Sequence, residues 1–404
     1  MEFFTYTLPN GMRGIHRQTR SGVAYCALLV NAGTRDEREG EFGLAHFTEH
    51  GLFKGTKRRR AYHINCRLEN LGGELNAFTT KEDTTVHATT LRADISKAAE
   101  LIADVVFNST FPQKEMSMER DVIYDEINSY KDSPSELIWD TFEEMLFEGS
   151  ELGHNILGIK RDIKRFTGDS IRQFMERTYT CDEMVFSSIG NITPKRIVEI
   201  ATRYIGGVET PRRSFVREQS KCVAPFNKLQ NKQTHQAHCV LGGGAYSIAD
   251  KRRLPLSLLV NILGGASANS RLNMVVREKY GLTYNIEASY TPNIDTGVFG
   301  VYFSSEKGNT DQALELINTE LERLMREPLT VRQLSMAKRQ FIAQATIAQE
   351  SSEGYMLGAG KSLLVHGEID SMQEMCRRVS QLTADDIQSV ASDIFKERSV
   401  LIYK

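Results

Sequence analysis

The chain has little of what would mark a membrane-bound, secreted or nucleic-acid-binding protein. It has one tryptophan and nine prolines in 404 residues, and no uninterrupted apolar stretch of membrane-spanning length. The opening residues Met1-Glu2-Phe3-Phe4-Thr5-Tyr6 lack the basic start and apolar run of a signal peptide. Fifty basic and 52 acidic residues leave a net charge of −2, which gives no electrostatic ground to expect nucleic acid or an anionic membrane as partner. Six cysteines (Cys26, Cys66, Cys181, Cys222, Cys239 and Cys376) are scattered without close pairs. That spacing argues against a disulfide framework or a cysteine-based zinc site and fits a reducing cytoplasm. With 40% hydrophobic and 25% charged residues the composition is that of a soluble globular protein, and its length calls for two or three domains.

What is present is concentrated in Gly43-Leu44-Ala45-His46-Phe47-Thr48-Glu49-His50. Two imidazoles four residues apart lie one helical turn from each other and can reach one cation. Glu49 shares their face, within reach of a metal-bound water. This H-x-x-E-H order is a zinc-hydrolase signature, the reverse of H-E-x-x-H. Two histidines are an incomplete site, because a hydrolytic zinc takes three protein ligands and keeps one position open.

Around this stretch the pattern predicts a hairpin turning at Asn10-Gly11, a strand over 23–30 and the metal helix over 42–53. A turn at Gly72-Gly73 leads to an extended segment that pairs with a strand over 84–91. Helices follow over 95–106 and from Pro112 to about residue 129, and a strand over 184–189 closes a first unit. The expected division is 1–205, a linker over 206–221, and 222–404. The second part reads as a copy of the first. Tyr25-Cys26-Ala27-Leu28-Leu29 aligns with His238-Cys239-Val240-Leu241-Gly242, and Ser117-Met118-Glu119-Arg120 with Ser335-Met336-Ala337-Lys338. On these offsets His46, Glu49 and His50 face Leu259, Ile262 and Leu263, while Glu126 faces Gln344. The copy keeps the scaffold and loses every candidate metal group.

The long helix after Pro112 offers Glu119, Asp125 and Glu126 as third ligand. Glu119 and Glu126 are two turns apart on one face, bordered by Val122, Ile123 and Ile127. Charge buried there is costly unless a metal or a hydrogen-bonded partner compensates it. An ordinary amphipathic helix would carry the same glutamates on its surface.

His46-Phe-Thr-Glu49-His50 with the distant Glu119-Arg-Asp-Val-Ile-Tyr-Asp-Glu126-Ile resembles the pitrilysin family of inverzincin metallopeptidases, which includes insulin-degrading enzyme and the mitochondrial processing peptidases. Leu71-Gly-Gly-Glu-Leu-Asn76-Ala77-Phe-Thr, Tyr179-Thr-Cys-Asp-Glu-Met-Val, and Gly264-Gly265 before Ser270-Arg271-Leu272 agree, so the likeness runs nearly end to end. The resemblance implies an α+β fold of two homologous domains, each a mainly antiparallel sheet with helices on it, forming half of a clamshell. It implies Zn²⁺ held by His46, His50 and Glu126, with Glu49 as general base and Glu119 standing behind the ligands. Arg277 and Tyr284 would contact the substrate carbonyl and its developing oxyanion, and Asn76 and Ala77 would lie along a sheet edge that pairs with an extended peptide. Peptides or unfolded segments are then the substrates. Because 404 residues make one clamshell half, a homodimer, or a heterodimer, would complete the chamber.

Several features carry less. Lys54, Lys57, Arg58, Arg59 and Arg60 read as a solvated basic loop, and Met116, Met118, Met336 and Met356 as core fillers. His87 could border the site, although a packing role suits it better. Two rival functions remain, a non-catalytic partner subunit and a lyase of the S-ribosylhomocysteine type. Intact metal residues argue against the first. The second type is far shorter, uses a cysteine ligand and has no repeated domain.

Overall fold

The computed structural model of the protein describes residues 3–369 and 371–404; Met1 and Glu2, which open the N-terminal stretch read above, and Asp370 lie outside them. Contacts divide the chain into two compact units. One comprises the chain up to Ile127, His154–Glu218 and Ile347–Ser371; the other comprises Asn128–Gly153, Gln219–Thr346 and Met372–Lys404.

The first unit is built on a six-stranded sheet, β1 (Phe4–Thr7), β2 (Arg13–Gln18), β3 (Val23–Val30), β4 (Glu74–Thr79), β5 (Thr84–Leu91) and β6 (Met184–Gly190). Its spatial order is β1-β2-β6-β3-β5-β4, with β2 and β6 parallel and the other pairs antiparallel. The hairpin turn falls at Asn10-Gly11, where Gly11 takes φ +86. Asn10 pins it by donating to the carbonyls of Ile205 and Val208, both at 3.0 Å. β3 and β6 are central and apolar almost throughout because both sheet faces are covered. β4 alternates exposed and half-buried residues, as suits an edge strand. Helices α1 (Leu44–Leu52), α2 (Ala61–Glu69), α3 (Ile95–Phe107) and α4 (Gln113–Lys131) follow in chain order, then α5 (Pro134–Leu146), α6 (Lys160–Ile163), α7 (Gly168–Thr178) and α8 (Pro194–Tyr204).

The second sheet holds β7 (Asn227–Gln230), β8 (Ala237–Ala245), β9 (Thr283–Pro292), β10 (Gly297–Ser305) and β11 (Ser399–Tyr403), in the order β7-β11-β8-β10-β9. Strand for strand this repeats β2-β6-β3-β5-β4, including the one parallel pair. Helices α9 (Arg253–Gly264), α10 (Thr310–Arg326), α11 (Val331–Ala348), α12 (Ser352–His366), α13 (Met372–Gln381) and α14 (Ala384–Ile394) complete the chain. Both sheets are mainly antiparallel with helices on them, an α+β architecture present twice. No helix among the described residues is long and apolar enough to cross a membrane.

A single cut at 206–221 does not reproduce the units, because two equivalent helices fold away from their own half of the chain. α12 covers the first sheet, where Met356, Ala359, Leu363 and Leu364 join Ile15, Ala27, Leu29, Val185 and Ile189 in one apolar cluster. α5 does the same for the second sheet, bringing Ile138, Phe142 and Leu146 against Val240, Tyr302, Leu401 and Tyr403. A sheet apolar on both faces needs a cover on each, and neither half keeps this helix for itself. The stretch read as a linker is no loose tether either. Arg213 and Arg217 each pair with the buried Asp36 at 2.7 Å.

One buried histidine gives the first unit a pH dependence. His16 lies fully buried on β2, with Nδ1 2.9 Å from Ser188 Oγ and Nε2 2.8 Å from the Ile192 carbonyl. Burial pushes its pKa below the ordinary value, with the two hydrogen bonds opposing the shift. The unfolded chain then binds this proton more readily than the folded one. His16 stabilises the fold above the unfolded value of about 6.5, and that contribution is lost as pH falls below it. Thermal unfolding at pH 8 and at pH 5.5, in wild type and His16→Gln, checks this: the variant should unfold at lower temperature at pH 8 and show a shallower acid loss.

Candidate metal centre

α1 is short, and its sequence explains where it starts. Gly43 precedes it at φ +98, outside the helical region, and the helix runs nine residues to Leu52. His46 and His50 therefore sit at its third and seventh positions, one turn apart. Their rings meet edge to face at 4.6 Å between centroids, and their Nε2 atoms lie 3.2 Å apart. Glu126 of α4 brings Oε2 to 3.6 Å from the His46 Nε2 and 3.8 Å from the His50 Nε2. Among the described residues these three form the one His/Cys/Asp/Glu group that could hold a metal ion. Ligand arms of about 2.1 Å in a tetrahedral site put donor atoms about 3.4 Å apart, so the spacing fits a zinc ion.

The electrostatics ask for a cation at this point. His50 Nδ1 lies 2.7 Å from Glu119 Oε1, and Lys54 Nζ lies 2.5 Å from Glu119 Oε2. A proton on His50 Nδ1 donated to Glu119 leaves the Nε2 lone pair aimed at His46 and Glu126. Burial works against a charged His50, yet Glu119, Glu49 and Glu126 together hold its pKa above the ordinary value. His46, nearly buried, is pushed down to about 3 by desolvation and then by His50, so its ring is neutral and available as a ligand. Its Nδ1 is buried with no hydrogen-bond partner. Glu119 is itself 5% exposed, and desolvation is outweighed by His50 and Lys54, which hold its carboxyl below the usual range. A carboxylate so placed orients His50 and makes it a stronger donor.

Glu49 faces the same space from the α1 position just before His50. Its Oε2 accepts a 2.6 Å hydrogen bond from Thr79 Oγ1, at the end of edge strand β4. Burial raises the Glu49 pKa, opposed by Thr79 and His50, with Glu126 adding to the rise. A carboxylate with a raised pKa is a better proton acceptor near neutrality.

The residues read from the sequence thus separate into groups. His46, Glu49, His50, Glu119 and Glu126 come together in one cluster. Asn76 and Ala77 lie on β4 as expected for a sheet edge, but on opposite faces. Ala77 shares the face of Thr79, whereas Asn76 opposes His87 in the register. That histidine bonds Glu353 at 2.8 Å, on the α12 side of the sheet, and so packs away from α1. Arg277 and Tyr284 belong to the second unit, the first paired with Glu278 at 3.0 Å and the second 76% exposed on β9.

Some readings need correction. Lys54 is not part of a solvated loop, since it pairs with Glu119, and Arg59 binds Glu100 and Asp104 at 2.8 and 2.5 Å. Val122, Met118 and Met336 are exposed rather than bordering a core, while Met116 and Met356 are buried. Thr79 and Lys54 escaped notice as site residues. The one signal for Lys54 was its position four residues beyond His50, a full turn on.

Two family models match the chain in succession. "Insulinase (Peptidase family M16)" covers residues 15–160 and "Peptidase M16 inactive domain" covers residues 165–341. A Bacillus subtilis protein named "Uncharacterized zinc protease YmxG" is 31% identical over 395 residues, spanning 97% of this chain and 95% of its own. The chain belongs to the M16 peptidase family. A Rickettsia bellii "Uncharacterized zinc protease" is also 31% identical, over 91% of this chain and 89% of its own. The fold matches that of a Helicobacter pylori protease at a TM-score of 0.91, with 21% identity, over 100% of this chain and 99% of the other. Within the M16 frame, all five residues of the cluster fall in the segment matched by the insulinase model. Arg277 and Tyr284 fall in the segment matched by the inactive-domain model.

Proposed function

We propose that this M16 protein is a zinc-dependent endopeptidase that cleaves peptides or unfolded segments, with Glu49 as general base. The observation that carries the reading is the convergence of His46 Nε2, His50 Nε2 and a Glu126 oxygen beside the half-buried Glu49 carboxylate. A zinc ion held there would polarise a substrate carbonyl and lower the pKa of water toward ~7. Glu49 takes the proton from the attacking water on the carboxylate oxygen that Thr79 leaves free, then delivers it to the leaving amine nitrogen. Glu119 holds the His50 ring in place. Edge strand β4 receives the substrate as an extended strand, and Gly72-Gly73 ahead of it lets a second backbone approach closely. Main-chain pairing of this kind tolerates many sequences. Arg277 and Tyr284, an always-charged guanidinium and a phenol, are suitable donors for the developing oxyanion.

Zinc content and cleavage of a quenched peptide library, with and without a chelator, test the proposal. Bound zinc and chelator-sensitive cleavage are expected; bound zinc with no cleavage of any peptide would end the peptidase reading.

The family's two-half chamber further supports a homodimer in which one chain supplies the metal and the other the oxyanion donors. Mixing inactive Glu49→Gln chains with inactive Arg277→Ala chains should then restore part of the activity. A mixture as inactive as its components would rule out composite sites.

A further inference from the structure

The metal helix begins without a cap of its own. Gly43 has no side chain, and no side-chain cap closes the helix at that position. Its first backbone N–H groups are instead taken by a carboxylate from a preceding segment. Glu37 accepts from the Gly43 N–H through Oε2 at 2.9 Å and from the Ala45 N–H through Oε1 at 2.7 Å. Both oxygens are used, so the carboxylate grips the helix start in a fixed orientation. Its side chain is fully buried, which pushes its pKa up, while His154, the two backbone donors and the helix N-terminus favour the charged form.

A second residue fixes the clamp. His154, from the loop before α6, sets Nε2 3.0 Å from Glu37 Oε2 and 2.8 Å from the Thr34 carbonyl, and stacks on Phe42 at 4.4 Å between centroids. On the other flank Gly43 is held so closely that a Cβ there would lie 2.8 Å from the Leu157 carbonyl oxygen. His46 is the residue immediately after Ala45, and His50 follows one turn on. A rotation or slide at the first turn would carry both imidazoles with it, because the helix between them is continuous.

We propose that Glu37 and His154 are positioning residues of the metal centre, holding the first turn of α1 where His46 and His50 converge with Glu126. The inference rests on the metal reading above and adds to it two residues that touch neither metal nor substrate.

The test uses full-length Glu37→Gln and His154→Phe. The first keeps the size of the side chain but replaces one acceptor oxygen with an NH₂ group facing backbone donors. The second keeps the ring on Phe42 and removes the bond to Glu37. Glu100→Gln, which weakens the Arg59 pair elsewhere in the unit, sets the baseline for a purely structural loss. Zinc affinity by chelator competition should fall on the order of tenfold in both positioning variants, by analogy with other groups that orient ligands. The visible spectrum of the cobalt-substituted protein should shift, and kcat should fall with KM nearly unchanged. Glu100→Gln should alter only the unfolding temperature. Folded Glu37→Gln and His154→Phe proteins with wild-type zinc affinity and an unshifted cobalt spectrum would overturn the inference alone. A wild type that binds no zinc would overturn the metal reading and this inference together. Should Glu37→Gln not fold, His154→Phe carries the measurement.

Discussion

Glu49→Gln should keep its zinc and lose about 10²–10⁴-fold in kcat on a short peptide, the usual worth of a positioned general base. A thousandfold loss is about 4 kcal/mol of transition-state stabilisation. The substitution is nearly isosteric, and its amide oxygen can still accept the hydrogen bond from Thr79 Oγ1, so the local packing has little reason to move. What disappears is the group able to take a proton. Because Glu49 is not one of the three converging donors, metal content should stay at wild-type level. Metal analysis of the purified variant, paired with its kcat, checks both halves. A variant that keeps more than a tenth of wild-type kcat would show that another group serves as base.

The second large effect is expected at Glu126. Glu126→Gln replaces an anionic oxygen donor with a neutral amide, while His46 and His50 keep their 3.2 Å spacing. Zinc affinity should drop by on the order of a hundredfold or more, a larger loss than is typical when a ligand's supporting partner is removed. Without metal the interactions of Glu126 oppose one another, since it raises the Glu49 pKa but also helps to hold the His50 pKa up. The metal-free variant should therefore unfold close to metal-free wild type. Zinc at a hundredfold excess over its dissociation constant stabilises wild type by about 2.7 kcal/mol, and the same zinc concentration should leave the variant nearly unchanged. Unfolding temperatures with and without zinc measure the difference. A zinc-dependent shift of wild-type size in Glu126→Gln would remove Glu126 from the ligand set.

How much could be read without the structure varies by residue. His46, Glu49 and His50 are legible because a helix turns through slightly more than one cycle in four residues, so their shared face follows from spacing alone. The sheet strands are legible where both faces are buried, as in the run over β3, or where alternation marks an edge, as in β4. The repeat is legible in short aligned segments, and the equivalent strand orders of the two sheets agree with it. Glu119 and Glu126 could not be told apart by periodicity, since both lie on one helical face. Their separation depends on how α4 crosses α1, which sets Glu119 against His50 Nδ1 and Glu126 against the two Nε2 atoms. Lys54 was misread for a related reason. A basic residue in a basic run looks solvated until a buried carboxylate from a distant helix is found beside it.

The sequence by itself determined the local periodicities, the shared helical face of His46, Glu49 and His50, and the duplication. All of these depend on residues within a few turns of one another or on segments that recur. Only the tertiary structure shows a Glu126 oxygen beside the two imidazoles, Glu119 against His50 Nδ1, and Glu37 at the N-terminus of α1. It also decided that α5 and α12 each cover the sheet built from the other half of the chain. Those choices rest on contacts between residues far apart in the chain, where charge, burial and hydrogen-bond geometry select one partner among several that the sequence offers equally.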